Sequence, residues 1–229
     1  MGVNAKFKPF VYLDEAGRLT GFDIDLMNAL AQAGGFEFGV VDLPFDQLLS
    51  DVESGQIDAA ISAITVTDER RQRFDFTEPY FGQEQATMSY YTGGQGLAVR
   101  TAVTNILGLG DITPEMTIGV KEGTTGASFV AEQSKAKVMT FPEAEPAFQA
   151  LAEGKVDAVV IDIPVIANYI RSTPNAGIKL AGPPLTQEQY AIAVTKAKPE
   201  VLALLNDALA KIHENGAYDA VVQKWFGTP

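Results

Sequence analysis

The chain has 229 residues, which is long enough for one large domain or two small ones. Its 29 acidic residues outnumber its 17 basic residues, and the net charge of −12 argues against nucleic acid or an anionic membrane surface as a partner. The chain has no cysteine, so disulfide bonds, thiolate catalysis and cysteine-ligated zinc are excluded. No apolar run approaches the ~20 residues of a membrane span. No signal peptide is recognised at Met1, so a mature or trimmed form with a new start is expected, with a natural cytoplasmic protein as the alternative.

The first sixty residues alternate between short apolar runs and helical patterns. Apolar residues recur at helical spacing from Phe22 onward, and Gly34 and Gly35 end that pattern. The alternation predicts a parallel sheet covered by helices. In chain order the predicted elements are a strand end within residues 2–10, a hairpin of Val11–Leu13 with Arg18–Thr20, a helix from Phe22 to Ala33, a strand at Phe36–Val41, a helix at Phe45–Val52 and a strand at Ile57–Ile61.

A second series of strands and helices follows a break at residues 76–81. Gly154–Val160 repeats the pattern of Gly55–Ile61, a helix end running into a buried strand, and this repeat predicts two similar α/β lobes. Either Gln85–Tyr91 or Leu97–Arg100 is expected to carry the chain between the lobes. The predicted strands are residues 117–120, Lys137–Thr140, Ala158–Ile161 and Tyr190–Thr195, and the predicted helices are Thr125–Gln133, Glu143–Ala152, Ile163–Arg171, residues 201–212 and Ala217–Phe226.

A polar loop follows the predicted strand Ile57–Ile61. It offers the hydroxyl groups of Ser62, Thr65 and Thr67, and Arg70 lies five residues after Thr65. A guanidinium at that distance can curl back over the loop and form a bidentate pair with a carboxylate. The loop therefore predicts a grip for the carboxylate of a small ligand.

Seven short stretches, spread over nearly the whole chain, form a combination that is specific although no single stretch is. They are Gly21–Leu26, Asp58–Arg70, Phe74–Tyr80, Gly119–Thr125, Asp162, Asn215–Tyr218 and Lys224–Gly227. In this order they resemble the polar amino-acid-binding solute receptors of bacterial ABC importers, which are type II periplasmic binding proteins. The resemblance implies an α/β clamshell of two lobes, each a mostly parallel sheet flanked by helices, with two hinge strands. The expected lobes are residues 1–91 with 191–229, and residues 92–190.

The resemblance also implies a function and a set of binding residues. The ligand is a free L-amino acid, the partners are ABC permease membrane subunits, and the protein is periplasmic and monomeric. The implied residues are Arg70, Thr65 and Thr125 for the ligand carboxylate, Asp162 and the carbonyl of Ala63 for the ammonium, and Phe7, Phe45, Asn4, Lys121 and Ser62 for the ligand side chain. A planar arginine fork suits a carboxylate, and a carboxylate with neutral acceptors suits an ammonium group.

The expected far wall of the site carries no acidic residue. Relatives that bind cationic amino acids favour an acid at the position of Asn4, and Lys121 also opposes a cationic ligand. Glutamine is therefore favoured, with glutamate or another small polar amino acid next.

No catalytic residue, metal site or cofactor is expected. Asp23 and Asp25 fit the first turn of a helix, where negative charge complements the helix dipole. His213 fits the end of a helix, and Gly108–Asp111 fits a loop. Two alternatives stay open: the ligand-binding domain of an amino-acid sensor or channel, and an enzyme resembling cyclohexadienyl dehydratases, which needs a general acid that the expected site lacks.

Overall fold

The computed structural model describes residues 1–82 and 93–227 of the chain. Within these ranges the chain divides into two units, residues 1–82 with 189–227 and residues 93–188. The predicted extended segment Gln85–Tyr91 lies outside the described residues. None of the helices in the described ranges is long and apolar enough to span a membrane.

Strands and helices alternate through most of the described chain. The strands are β1 Gly2–Val3, β2 Lys6–Phe7, β3 Val11–Leu13, β4 Leu19–Thr20, β5 Val41–Asp42, β6 Ala59–Ala60, β7 Asp75–Phe76, β8 Gln95–Arg100, β9 Thr117–Lys121, β10 Lys137–Phe141, β11 Ala158–Asp162, β12 Ile178–Ala181 and β13 Ala193–Val194. The helices are α1 Phe22–Gly34, α2 Phe45–Ser54, α3 Asp68–Arg73, α4 Thr125–Gln133, α5 Ala144–Ala152, α6 Ile163–Ser172, α7 Pro199–Glu214 and α8 Ala217–Phe226, with short 3-10 turns at Leu109–Asp111 and Pro174–Ala176.

The first unit is built on a sheet with strand order β5-β1-β6-β13-β7. Strand β1 runs parallel to both β5 and β6, whereas β13 runs antiparallel to β6 and β7. The carboxyl ends of β5, β1 and β6 therefore meet at one edge of the sheet. That edge is where ligands bind in open α/β sheets.

Most predicted elements of the first unit are confirmed, one is wrong and one helix was missed. The hairpin forms as β3 and β4, and α1 ends at Gly35, whose φ of 68° is the left-handed geometry that glycine adopts freely. The predicted strand Phe36–Val41 is wrong because only Val41 and Asp42 pair, with the two residues that β1 offers. Helix α3 was not predicted. Its first residue is Asp68, and the side chain of the preceding Thr67 caps the helix by accepting the backbone N–H of Arg70.

The second unit has a sheet with strand order β10-β9-β11-β8-β12. Strand β9 runs parallel to β10 and β11, and β8 runs antiparallel to β11 and β12. Leu97–Arg100 thus belongs to a strand inside this sheet and does not carry the chain out of the unit. The carboxyl ends of β9 and β11 meet at one edge, and α4 follows β9 directly.

The repeated pattern is confirmed in both units. Gly55, with a φ of 75°, and Gly154, with a φ of 74°, each follow a helix and precede a buried strand. A cluster of buried apolar side chains packs beside each sheet. Helix α2 contributes Leu48 and Val52 to the cluster of the first unit. The predicted α/β class, with a sheet and flanking helices in each unit, is confirmed.

Candidate functional site

Polar residues collect at the carboxyl edge of the first unit's sheet. Asn4 comes one residue after β1, Phe45 opens the helix that follows β5, and Ser62 begins the polar loop two residues after β6. The backbone N–H of Asn4 donates to Oγ of Ser62 at 3.3 Å, which joins the first and third of these strand ends. Parallel pairing of three short strands therefore brings together residues that are more than fifty positions apart.

Arg70 is buried against the loop that precedes it. The residue is 8 % exposed. Nη1 donates to the backbone oxygen of Thr65 at 2.9 Å, and the guanidinium carbon lies 5.7 Å from the centre of the half-buried Phe45 ring. This cation–π contact and the hydrogen bond hold the guanidinium in place. A fixed fork loses less side-chain entropy when it binds a carboxylate than a mobile one does.

The Asn4 side chain is anchored through its amide nitrogen. Nδ2 donates to the backbone oxygen of Leu43 at 2.9 Å, and the residue is buried. One of the two N–H groups on this nitrogen is used in the bond, and the amide oxygen is the acceptor that the side chain can offer to a ligand. Phe7, three residues further on, packs its ring on Phe10 at 6.2 Å between centroids, and the predicted stacking on a ligand stays a prediction.

Ala63 lies in the polar loop with a backbone geometry that only a few non-glycine residues adopt. Its φ is 48°. Its N–H is shared between Oδ2 of Asp23 at 3.0 Å and the hydroxyl oxygen of Tyr80 at 3.2 Å. Asp23 does lie in the first turn of α1, as predicted, but it is completely buried beneath the loop. Burial raises the pKa of its carboxyl group to about 7, while hydrogen bonds from Tyr80 and Ala63 oppose that rise.

Three predicted residues gather at the carboxyl edge of the second unit's sheet. Lys121 is the last residue of β9 and Asp162 the last of β11, and Thr125 is the first residue of α4. Lys121 and Asp162 are both buried. The start of α4 carries backbone N–H groups and the positive end of the helix dipole, which suit an anion. Asp162 also precedes α6, but its side chain makes no capping hydrogen bond there, so capping does not account for the residue.

Two residues beside Thr125 were not predicted. Oγ1 of Thr125 donates to Oε2 of Glu188 at 3.0 Å and accepts from Nε2 of Gln95 at 3.2 Å. Thr186 donates to the other oxygen of Glu188, also at 3.0 Å. The available signal was weak: Gln95 opens an apolar strand, and Glu188 comes just before the apolar run that contains β13. Together these side chains fix the Thr125 hydroxyl at the start of α4.

In residues 1–82 and 93–227, no group of three or more histidine, cysteine, aspartate or glutamate side chains is placed to hold a metal ion. Hydrogen-bonding and charged groups lie at both sheet edges. The first edge offers a buried arginine, hydroxyl groups and backbone acceptors. The second offers a buried carboxylate, a buried lysine and a helix start.

Comparison with known proteins identifies the family. The family model described as "Bacterial extracellular solute-binding proteins, family 3" matches residues 1–228. The chain belongs to this family. Among the curated members of this solute-binding family, a probable histidine-binding protein of Neisseria gonorrhoeae is 36 % identical over 227 residues, covering 97 % of this chain and 81 % of the relative. The L-cystine-binding protein TcyJ of Escherichia coli is 27 % identical, covering 99 % and 82 %.

Solved structures agree with this assignment. An ancestral arginine-binding protein bound to glutamine superposes with a TM-score of 0.89 at 37 % identity, covering 99 % of this chain and 96 % of that one. The GluR0 ligand-binding core from Nostoc punctiforme in complex with L-glutamate gives 0.86 at 29 % identity, with 99 % of both chains covered. The fold of this solute-binding protein is therefore that of type II periplasmic binding proteins, and the predicted resemblance to amino-acid-binding receptors is confirmed.

Proposed function

We propose that this protein captures a polar L-amino acid outside the cytoplasm, as a monomer, and presents it to the membrane subunits of an ABC permease. Glutamine is the favoured ligand, with glutamate or another small polar amino acid next. Family membership and relatives named for histidine and cystine support an amino-acid ligand. The observation that carries the proposal is the buried guanidinium of Arg70, held against Thr65 and Phe45 beside a loop of hydroxyl and backbone groups.

The proposed carboxylate site consists of Arg70, Thr65 and Thr125. One guanidinium nitrogen of Arg70 donates to the backbone oxygen of Thr65, and the planar guanidinium has the fork geometry that suits two carboxylate oxygens. Thr125 adds the start of α4, whose dipole favours negative charge. A carboxylate that binds both Arg70 and the start of α4 replaces its hydrogen bonds to water with charge-assisted hydrogen bonds to the protein.

The proposed ammonium site consists of Asp162 and the backbone carbonyl of Ala63. Asp162 is buried at the end of β11, and its carboxylate suits the positive charge and the N–H donors of an ammonium group. Arg70 and Ala63 come from the first unit, and Asp162 and Thr125 from the second. We propose that the units are the two lobes of the clamshell, so that a ligand with both charges favours the closed form.

The proposed contacts with the ligand side chain come from Asn4, Ser62, Phe7, Phe45 and Lys121. The acceptor oxygen that Asn4 offers suits the N–H groups of a carboxamide, and a guanidinium binds better to a carboxylate. The buried ammonium of Lys121 opposes a second cation and suits the carbonyl oxygen of glutamine. Structures described as an ancestral arginine-binding protein have been solved with glutamine and with arginine, which supports a ligand of this size.

A thermal-shift screen with the twenty amino acids tests the proposal, because a ligand that binds only the folded state raises its apparent stability by mass action. L-glutamine is expected to give the largest shift. A larger shift with L-arginine or L-lysine contradicts the glutamine preference, and no shift with any amino acid contradicts the proposed function.

Two structural neighbours support second candidates. The GluR0 core resembles this chain over 99 % of its length, which favours a sensor or channel domain as the alternative with the same ligand chemistry. An ancestral amino acid-binding protein, described as a precursor of cyclohexadienyl dehydratase, is 33 % identical with a TM-score of 0.87. Incubation with prephenate and assay for phenylpyruvate tests that activity, and product formation would contradict the non-enzymatic proposal.

A further inference from the structure

The loop residue Ala63 adopts a backbone conformation that costs free energy. Among the residues that the structure describes, Ala63 is the one non-glycine residue with positive φ. A side chain in the left-handed region crowds the backbone, and such geometry persists only where neighbouring contacts hold it. Strain of this kind at a loop on the ligand-binding edge of a sheet points to a function for the conformation.

The contacts that hold Ala63 come from two distant parts of the first unit. The carboxylate of Asp23 lies 40 positions earlier and the hydroxyl of Tyr80 lies 17 positions later, and both reach the same N–H group. The two side chains are also hydrogen-bonded to each other, and both are almost completely buried. The backbone of Tyr80 is held in turn, because Tyr218 donates its hydroxyl to the Tyr80 carbonyl at 2.6 Å.

The position of Asp23 is costly for the fold. Its Oδ1 is buried and has no hydrogen-bond partner among the described residues. Asp23 is the second residue of α1 and does not cap it, since the capping position is Gly21 and no side chain caps that helix. Two unfavourable features, the unsatisfied buried oxygen of Asp23 and the strained backbone of Ala63, therefore occur next to the same peptide group. Neither cost is explained by the stability of α1.

We propose that Asp23 and Tyr80 are positioning residues that lock the peptide between Ser62 and Ala63, so that the left-handed turn aims the Ala63 carbonyl at the ligand ammonium. This inference rests on the proposed role of that carbonyl. The locked N–H fixes the plane of the peptide that precedes Ala63, and the φ of 48°, together with the ψ of the left-handed region, then sets the direction of the Ala63 carbonyl. Neither side chain touches the ligand in this arrangement.

Three substitutions and one control test the lock. Tyr80→Phe keeps the buried ring and removes the hydroxyl, Asp23→Ala removes the acceptor, and Asp23→Asn restores an acceptor oxygen. Asp25→Asn is the matched control, because Asp25 lies on the same helix but contacts Trp225 and Lys224 instead of the loop. The measurements are amide hydrogen exchange at Ala63 by NMR without ligand, urea unfolding, and calorimetric affinity for L-glutamine, L-arginine and L-histidine.

In Tyr80→Phe and Asp23→Ala we expect faster exchange at Ala63 and an affinity that falls by roughly three- to tenfold, equivalent to one lost hydrogen bond. Asp23→Asn is expected to recover most of both properties, and Asp25→Asn to leave them unchanged. Unchanged exchange at Ala63 in Tyr80→Phe and Asp23→Ala would overturn the lock. Faster exchange with unaltered affinity in folded variants would overturn its positioning role. If none of the twenty amino acids binds the wild-type protein in the thermal-shift screen, both the proposed function and the ammonium role of Ala63 fail, while the exchange data still decide whether the lock exists.

Discussion

Replacing Asp23 by asparagine should remove a large part of the protein's dependence of stability on pH. The Asp23 carboxyl group has a pKa of about 7 in the folded protein, against an ordinary value of 3.8, because burial disfavours the charged form. Between these two values the folded state holds a proton that the unfolded state has released. The free energy of unfolding therefore falls as the pH rises through this window. Asparagine has no proton to lose, so its variant lacks this contribution.

The size of the effect follows from the pKa difference. The interval from 3.8 to about 7 is roughly three units, worth about 4 kcal/mol at 1.36 kcal/mol per unit. Between pH 5 and pH 8 the folded-state titration is crossed, and about 2–3 kcal/mol of this contribution is lost. Tyr80 stays neutral throughout, because burial and the neighbouring carboxylate raise its pKa well above the ordinary value.

Urea unfolding at pH 5 and pH 8 measures this contribution directly. The wild-type protein should lose about 2–3 kcal/mol more stability over this interval than Asp23→Asn does, since the other titrating groups cancel in the difference. Asp25→Asn, on the same helix, should follow the wild-type profile. Parallel profiles for the wild type and Asp23→Asn would refute the reasoning, because they would mean that Asp23 is ionised in both states across this range.

Two further substitutions probe the loop and the far wall of the proposed site. Thr67→Ala removes the hydroxyl that accepts the Arg70 N–H at 3.1 Å, so urea unfolding should show a loss of about 1 kcal/mol; unchanged stability would mean that this cap does not hold α3. Asn4→Asp places a carboxylate where the amide now offers an acceptor, and calorimetry should show the affinity for L-arginine relative to L-glutamine rising about tenfold. An unaltered ratio would remove Asn4 from the proposed ligand contacts.

Local patterns were enough to predict most helices and strands. The helix from Phe22 was predicted because its apolar spacing and its glycine end are both encoded within fifteen residues. The strand Phe36–Val41 was predicted wrongly because pairing depends on β1, which offers partners only to Val41 and Asp42. Helix α3 was missed because its six residues are all charged or polar and show no apolar face. Local sequence pattern therefore predicts an element correctly when that segment alone determines the structure. It fails when the structure depends on pairing with a distant segment.

The gathering of candidate residues at each sheet edge was also accessible from sequence. Parallel strands place their carboxyl ends together, which brings Asn4 to Ser62 and Lys121 close to the start of α4. The contact of Asp23 with Ala63 was not accessible, because no spacing rule links a helix start to a loop 40 positions later. Gln95 and Glu188 were missed for the same reason, as 93 positions separate them.

The carboxylate grip of Arg70 is the central claim, and calorimetric titration of Arg70→Ala tests it most directly. Arg73→Ala is the matched control, since Arg73 lies on the same helix but pairs with Glu53 at 2.7 Å on an exposed face. Removing one partner of a buried charge pair costs about 2–5 kcal/mol, so affinity for the ligand found in the thermal-shift screen should fall by at least roughly 30-fold in Arg70→Ala. Arg73→Ala should bind as the wild type does. Near-wild-type affinity in a folded Arg70→Ala protein would contradict the account.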